Sequence, residues 1–229
     1  MERLECKKAY FYAELSHDLR QPLQAMKIFI ALLEEENLNE RQAELTAQIK
    51  NSASGLEAWL DNLLAITRLE SGGLKRQDEE FSLDEFLKKI AGEYREITAY
   101  KKLRFLYSGN KITLKTDKIL LERIIRNLLH NAVKYGRKSI RLRWYELADK
   151  VRITVEDDGR GLKKEECRQL FKAFYQCPRD REQGTGLGLA IVKELADILK
   201  IKVEIKSKWR RGTVFVLTLS KNNDIKKHP

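Results

Sequence analysis

Tyr12, Leu19, Met26 and Leu33 recur every seven residues, with Leu15, Pro22 and Phe29 running beside them. This alternating three- and four-residue spacing is the seam of a bundle helix over residues 8–36. Glu34-Glu35-Glu36-Asn37 ends the pattern, and a turn is expected at Asn37-Leu38-Asn39. A second helix repeats the device. Ile49, Leu56 and Leu63 form one line, Leu45, Ser52, Trp59 and Ile66 the other, and Ser71-Gly72-Gly73 stops it. Two antiparallel helices bury little alone. A dimer closing four helices around both seams is the architecture this pattern implies.

Beyond residue 73 the pattern changes. Phe81–Tyr100 reads as a helix capped by Ser82, and Lys118–Tyr135 as one capped by Asp117. Ser139–Glu146 and Val151–Glu156 alternate like antiparallel strands. Lys163–Phe174 and Leu187–Leu199 read as helices. Val203–Lys208 and Thr213–Leu219 form a closing hairpin across Trp209–Gly212. Strands with helices on one face make an α/β sandwich. The whole is α+β, with a helical domain over 1–72 and a sandwich domain over 73–229.

Charge divides at the same place. Residues 1–72 hold 8 Lys/Arg and 12 Asp/Glu, about −4. The rest holds 45 − 8 = 37 basic and 34 − 12 = 22 acidic residues, about +15. A basic second domain suits an anionic ligand such as a nucleotide. No DNA- or RNA-binding motif accompanies the charge, so nucleic acid is not an expected partner. No apolar run is long enough to span a bilayer, and there is no secretory signal. This segment is expected to touch no membrane and to lie in the cytoplasm, whether or not a longer parent is anchored. Only sixteen residues precede His17, so any further domain ahead of it is expected to be absent or to have been cut away. Cys6, Cys167 and Cys177 lack metal-like spacing and read as reduced thiols.

Four short segments carry chemistry. The first is His17-Asp18-Leu19-Arg20-Gln21-Pro22. His17 lies two residues past Leu15, a rotation of about 200° on a helix, so it faces away from the seam. Pro22 cannot bond the carbonyl of Asp18 and crowds it, which predicts a kink one turn beyond His17. The second is Asn127-Leu128-Leu129-His130-Asn131, followed by Lys134 and Tyr135. Asn127, Asn131 and Lys134 share one helix face, and Leu121, Ile125, Leu128 and Ala132 lie opposite. His130 is read as a surface residue. The third, Asp157-Asp158-Gly159-Arg160-Gly161, ends a strand in a glycine-rich turn, with Asp158 expected to point to solvent. The fourth is Gly184-Thr185-Gly186-Leu187-Gly188-Leu189. Its glycine spacing is wrong for a dinucleotide fingerprint, and no apolar strand precedes it. Read separately, the segments are a surface histidine, an amphipathic helix and two turns.

In this order, the four resemble the transmitter core of bacterial sensor histidine kinases across roughly residues 8–219. The resemblance implies a dimeric histidine-phosphotransfer hairpin followed by a catalytic ATP-binding domain of the GHKL (Bergerat) type. It implies an ATP-dependent protein histidine kinase, forming a homodimer and phosphorylating the receiver domain of a response regulator. His17 would be the phosphoacceptor and Asp18 its base or orienting group. Asn131 would hold Mg²⁺, with Lys134 near the phosphates and Asn127 and Tyr135 as lesser contacts. Asp157, Gly159 and Gly161 would form the base-binding loop. Gly184, Thr185, Gly186, Leu187 and Gly188 would approach the phosphates of ATP. Residues 175–183 match the family's ATP lid, and Phe171 and Phe174 its phenylalanine box. Arg179 and Arg181 are equal candidates for a phosphate contact, and salt bridges to Asp180 or Glu182 are an equal alternative for them. One position departs from the family, which commonly has Thr or Asn before the proline. Gln21 stands there, and it predicts weak phosphatase activity. The alternatives are a GHKL-type ATPase of another kind and a degenerate signalling scaffold. The His-Asp run opposes the first, and the full set of chemical groups opposes the second.

Overall fold

The computed structural model describes residues 21–70, 76–172, 175–177, 186 and 188–221. The chain divides into a helical unit that runs to Lys75 and an α/β unit comprising Arg76–Cys177 and Gly188–Pro229.

In the helical unit, α1 (helical over 21–35) and α2 (Glu40–Glu70) form a hairpin. Asn39 starts α2 with a reciprocal cap. Its carboxamide oxygen accepts from the Gln42 N–H at 2.9 Å, and the Gln42 side chain accepts from the Asn39 N–H at 3.0 Å. Leu23 and Ile30 of α1 and Ala53 of α2 are buried together. Lys27–Glu57 and Lys50–Glu34 ion pairs, each 2.8 Å, tie the helices at the surface. The heptad residues are not this contact. Met26, Phe29, Leu33, Leu45, Ile49 and Leu56 are each 41–63% exposed. Among the described residues, the hairpin closes on one stripe and leaves the heptad side chains exposed. Tyr12, Leu15 and Leu19 lie outside the described residues, as do the side chains of Trp59, Leu63 and Ile66.

The α/β unit contains β1 (Glu79–Ser82), α3 (Leu83–Tyr100), β2 (Arg104–Gly109), β3 (Thr113–Thr116) and α4 (Lys118–Tyr135). It continues with β4 (Ser139–Leu147), β5 (Lys150–Asp157), α5 (Lys164–Gln169), α6 (Gly188–Ile198), β6 (Lys202–Lys208) and β7 (Gly212–Ser220). A five-stranded sheet has the order β2-β4-β5-β7-β6, and β1 pairs with β3 as a separate ribbon. β2 runs parallel to β4; the other neighbours are antiparallel. Ile140, Leu142, Trp144, Val151, Ile153, Val155, Leu217 and Leu219 form the fully buried inner face. α3 packs on β2, α4 on β5, and α6 on β6 and α4. The outer face is polar, with Glu156 bridging Arg141 and Arg143 at 2.8 Å each.

Three expectations need correction. Phe81 belongs to β1, because the Ser82 hydroxyl accepts from the Glu85 N–H at 3.3 Å and starts α3 one residue later. The helix expected over Lys163–Phe174 is only the six-residue α5. It has a capping bond from the Lys163 N–H to Glu166 at 2.7 Å but buries no residue, so packing does not extend it. β1, β2 and β3 were not anticipated.

The start of α4 depends on Asp117, which is buried. One carboxylate oxygen caps Leu120 N at 3.0 Å and the other accepts from Gln77 N at 2.9 Å. Asp117→Ala should therefore lower stability by about 2 kcal/mol, the sum of a lost cap and a second buried donor. Denaturant unfolding of parent and variant checks this, and an unchanged midpoint would show that water replaces both bonds.

Candidate functional site

Helix α4 supplies one wall. Its apolar stripe, Leu121, Ile125, Leu128 and Ala132, is buried in the domain. Asn127, Asn131 and Lys134 are half-buried on the opposite side. The Asn127 amide donates to the Arg123 carbonyl at 2.8 Å, which fixes its rotamer. Its oxygen then faces Gly188, where an added Cβ would lie 3.0 Å away. The start of α6 thus rests against the middle of α4. The Asn131 Nδ2 is buried and has no hydrogen-bond partner. Buried without a partner, that amide carries a desolvation cost, as do four other side-chain atoms of the described residues. The Lys134 ammonium sits 4.9 Å from the centre of the Tyr135 ring. His130 is exposed at the edge of this face. Crowding of its ring, and then the charges of Lys134 and Lys101, push its pKa down.

The loop after β5 supplies the second wall. Asp157 is 8% exposed, on the same side of the sheet as Ile140, its partner across β4. Its carboxylate accepts from the Gly159 N–H at 2.8 Å and from the backbone of Thr213. Burial outweighs these donors and pushes its pKa up to about 6. Asp158 does not point to solvent as expected. Its carboxylate accepts from Arg137 N and Lys138 N at 2.9 Å each and from the Ser139 hydroxyl at 3.1 Å. Those donors overcome desolvation and hold its pKa below the usual value. Asp158 is the clamp between this loop and the exit of α4, and Asp157 is the carboxylate left facing inward.

Gly159 lies against the Tyr135 carbonyl, too close for a side chain. Gly161 has φ +66°, and a Cβ there would overlap the Lys208 carbonyl. Gly212 has φ +101°, and a Cβ there would overlap the Asp157 carbonyl. The Leu162 N–H donates to the Ser207 hydroxyl at 2.8 Å, and the Arg210 N–H to the Arg160 carbonyl. The turn between β6 and β7 is thus part of the site. The sequence reading took Gly212 and Thr213 only as hairpin residues. A glycine followed by threonine at the opening of a strand was the available signal, and it is weak.

The structure therefore brings Asn127, Asn131, Lys134, Tyr135, Asp157, Gly159, Gly161 and Gly188 to the walls of one region of the α/β unit. Gly186 has φ +71°, as a glycine turn requires. His17, Asp18, Gly184, Thr185, Leu187, Phe174, Arg179 and Arg181 lie outside the described residues.

Two domain families match the chain. Residues 7–72 match the family described as the His Kinase A (phospho-acceptor) domain. Residues 116–223 match the family described as histidine kinase-, DNA gyrase B- and HSP90-like ATPase. The autoinducer 2 sensor kinase/phosphatase LuxQ of Vibrio cholerae is 33% identical over 224 residues, 93% of this chain and 26% of that protein. The chain spans about a quarter of the length of the curated relatives it matches. Full-length ShkA in complex with AMPPNP superposes with a TM-score of 0.79 at 24% identity, over 94% of this chain and 47% of that one. The histidine kinase ThkA, solved with its response regulator protein TrrA, gives a TM-score of 0.68 at 19% identity, over 100% of this chain and 66% of that one. These two structures show the shared fold. The chain carries a histidine kinase transmitter core, a phosphoacceptor domain followed by a GHKL-type ATPase domain. The α+β class and the kinase family expected from the sequence are both borne out. Among the described residues no helix is long and apolar enough to cross a membrane.

The burial of Asp157 has a pH signature. Its unfolded pKa is near 3.8 and its folded value about 6, so the folded state binds the proton more tightly. The group's favourable contribution is complete below pH 3.8 and lost as pH rises through 6. Asp157→Asn, which resembles the protonated acid, should stabilise the domain at pH 7.5 by on the order of 1–3 kcal/mol. The gain should vanish near pH 4. Thermal melts at both pH values check this; equal melting at pH 7.5 would mean that the carboxylate is well solvated.

Proposed function

We propose that this chain is an ATP-dependent kinase that phosphorylates its own His17 and passes the phosphoryl group to an aspartate on the receiver domain of a response regulator. Residues 1–72 would serve dimerisation and phosphotransfer, and residues 73–229 would bind ATP. The observation that carries this reading is Asp157, a carboxylate kept buried near the end of β5 although burial opposes its charge. As an acceptor it matches the amino group of adenine. A guanine carbonyl facing it would leave both acceptors unpaired.

Asn127, Tyr135 and Lys134 would line the phosphate path, with Lys134 countering its charge. Gly159, Gly161, Gly184, Thr185, Gly186, Leu187 and Gly188 would let backbone approach the nucleotide. Asn131, half-buried on α4, would offer its amide oxygen to a Mg²⁺ bound otherwise by phosphate oxygens and water, since a hard cation takes neutral oxygen donors. When bound, Mg²⁺ neutralises the charge of the triphosphate. In the reaction an imidazole nitrogen of His17 forms a bond to the γ-phosphorus as the bond to the bridging oxygen of ADP breaks. Asp18 would orient the ring and receive or relay its proton. The complex of ThkA with TrrA supports a regulator as the acceptor that follows.

Incubation with γ-labelled ATP and Mg²⁺ should give an acid-labile, base-stable label on the parent chain. His17→Gln should abolish that label while leaving ATP binding intact. A label that persists in this variant would move the acceptor elsewhere.

A homodimer follows from the same reading. The exposed heptad residues support it, because six large apolar side chains, three on each helix, are left exposed among the described residues. Phe29→Glu with Ile49→Glu should convert a dimer to a monomer in analytical sedimentation. A monomeric mass for the parent chain would sink the idea.

A further inference from the structure

The geometry points to Ser207 as the residue that sets the hydrogen-bonding polarity of the base-binding floor, and hence the preference for a nucleotide whose base presents an amino group there. This rests on the assignment of Asp157 as the acceptor for the base. Ser207 stands opposite Thr213 across β6 and β7, and Thr213 stands opposite Asp157 across β7 and β5. Cross-strand partners share a face, so the three side chains form one row on the helix side of the sheet.

A serine hydroxyl has one proton and two lone pairs. Ser207 has three partners that compete for them. The Leu162 N–H lies 2.8 Å away and can only donate. The Gly212 carbonyl lies 3.0 Å away and can only accept. The Thr213 hydroxyl oxygen lies 3.0 Å away and can do either. All three bonds are made in one arrangement alone. The Ser207 proton goes to Gly212, one lone pair takes the Leu162 N–H, and the other takes the proton of Thr213. Thr213 has then spent its only proton on Ser207 and offers the site lone pairs only.

Beside it, ionised Asp157 also offers lone pairs only. The floor is therefore two adjacent acceptors without a donor. An exocyclic amine brings N–H groups to such a floor, directly or through a water; a carbonyl oxygen meets acceptors on every side. Without the Ser207 acceptor, the Thr213 hydroxyl could turn its proton to the ligand and accept a carbonyl-bearing base. Ser207 touches no substrate atom in this scheme. It is a positioning residue, and its effect falls on discrimination between bases.

The test is calorimetric titration of the full chain with ADP and GDP in the presence of Mg²⁺, which avoids turnover. The parent should prefer ADP. Ser207→Ala should narrow the ADP:GDP ratio by roughly tenfold, the worth of one hydrogen bond, and Ser207→Thr should restore it. Should the alanine variant not fold, Ser207→Cys fills the same space with a weak acceptor and reports the same ratio. Equal weakening of both nucleotides, or a lower melting temperature with the ratio unchanged, would show a merely structural role and overturn the inference. Asp157→Asn separates the two readings. Unchanged ADP affinity in that variant removes base recognition by Asp157 itself; weakened ADP binding there, with an unaltered ratio in Ser207→Ala, overturns only the role of Ser207.

Discussion

The end of β5 and the turn between β6 and β7 are locked together by two glycines, and the nucleotide side of the domain is built on that lock. Gly161 yields to the Lys208 carbonyl and Gly212 to the Asp157 carbonyl, each with φ in the region open to glycine. The contact runs backbone to backbone, so no side chain could relax to admit a Cβ at either position. The hydrogen bonds from Leu162 N–H to Ser207 and from Arg210 N–H to Arg160 then hold the two loops in register. A loop fixed at this density delivers Asp157 as a rigid acceptor. That rigidity lowers the reorganisation needed when a ligand arrives.

Rigidity also explains how the site keeps polar groups that the fold alone would reject. Asp158 and Asp157 are neighbours in sequence with opposite roles. Asp158 gathers two backbone N–H groups and a hydroxyl and so stabilises the exit of α4. Asp157 lies at the buried end of the strand with fewer donors, and burial raises its pKa. The Asn131 amide nitrogen, buried without a partner, is a second such group. Both lie on the walls that carry the sequence motifs, and Asp117, which caps α4, is by contrast satisfied by two backbone donors.

Much of the α/β unit was legible because its elements announce themselves locally. Ser82 and Asp117 cap helices where residue type says they should. The strict alternation of β4 and β5 matches an inner face of Ile140, Leu142, Trp144, Val151, Ile153 and Val155. What escaped was set by non-local pairing. β2 is an edge strand with only Phe105 part-covered, so it carries no alternation, and its parallel pairing with β4 has no sequence signature. β1 and β3 are four residues each and stand only by pairing with one another. In the site, the N-box face and Asp157 were readable from motif and helical spacing. Asp158 was misread because two adjacent carboxylates look alike until the strand's end is fixed, which leaves Asp158 beyond the ladder. Thr213 and Ser207 were hidden because in a hairpin they are ordinary strand residues; only their opposition to Asp157 gives them meaning.

The hairpin follows a different logic, in which the strongest sequence signal does not mark the intrachain contact. Among the described residues, Leu23, Ile30 and Ala53 close α1 on α2. The heptad side chains face outward beside them. Left in water, each of these half-exposed side chains forgoes roughly half of the about 1.5–3 kcal/mol that full burial supplies. Separating the two stripes lets one set the hairpin's closure while the other remains available to a second copy.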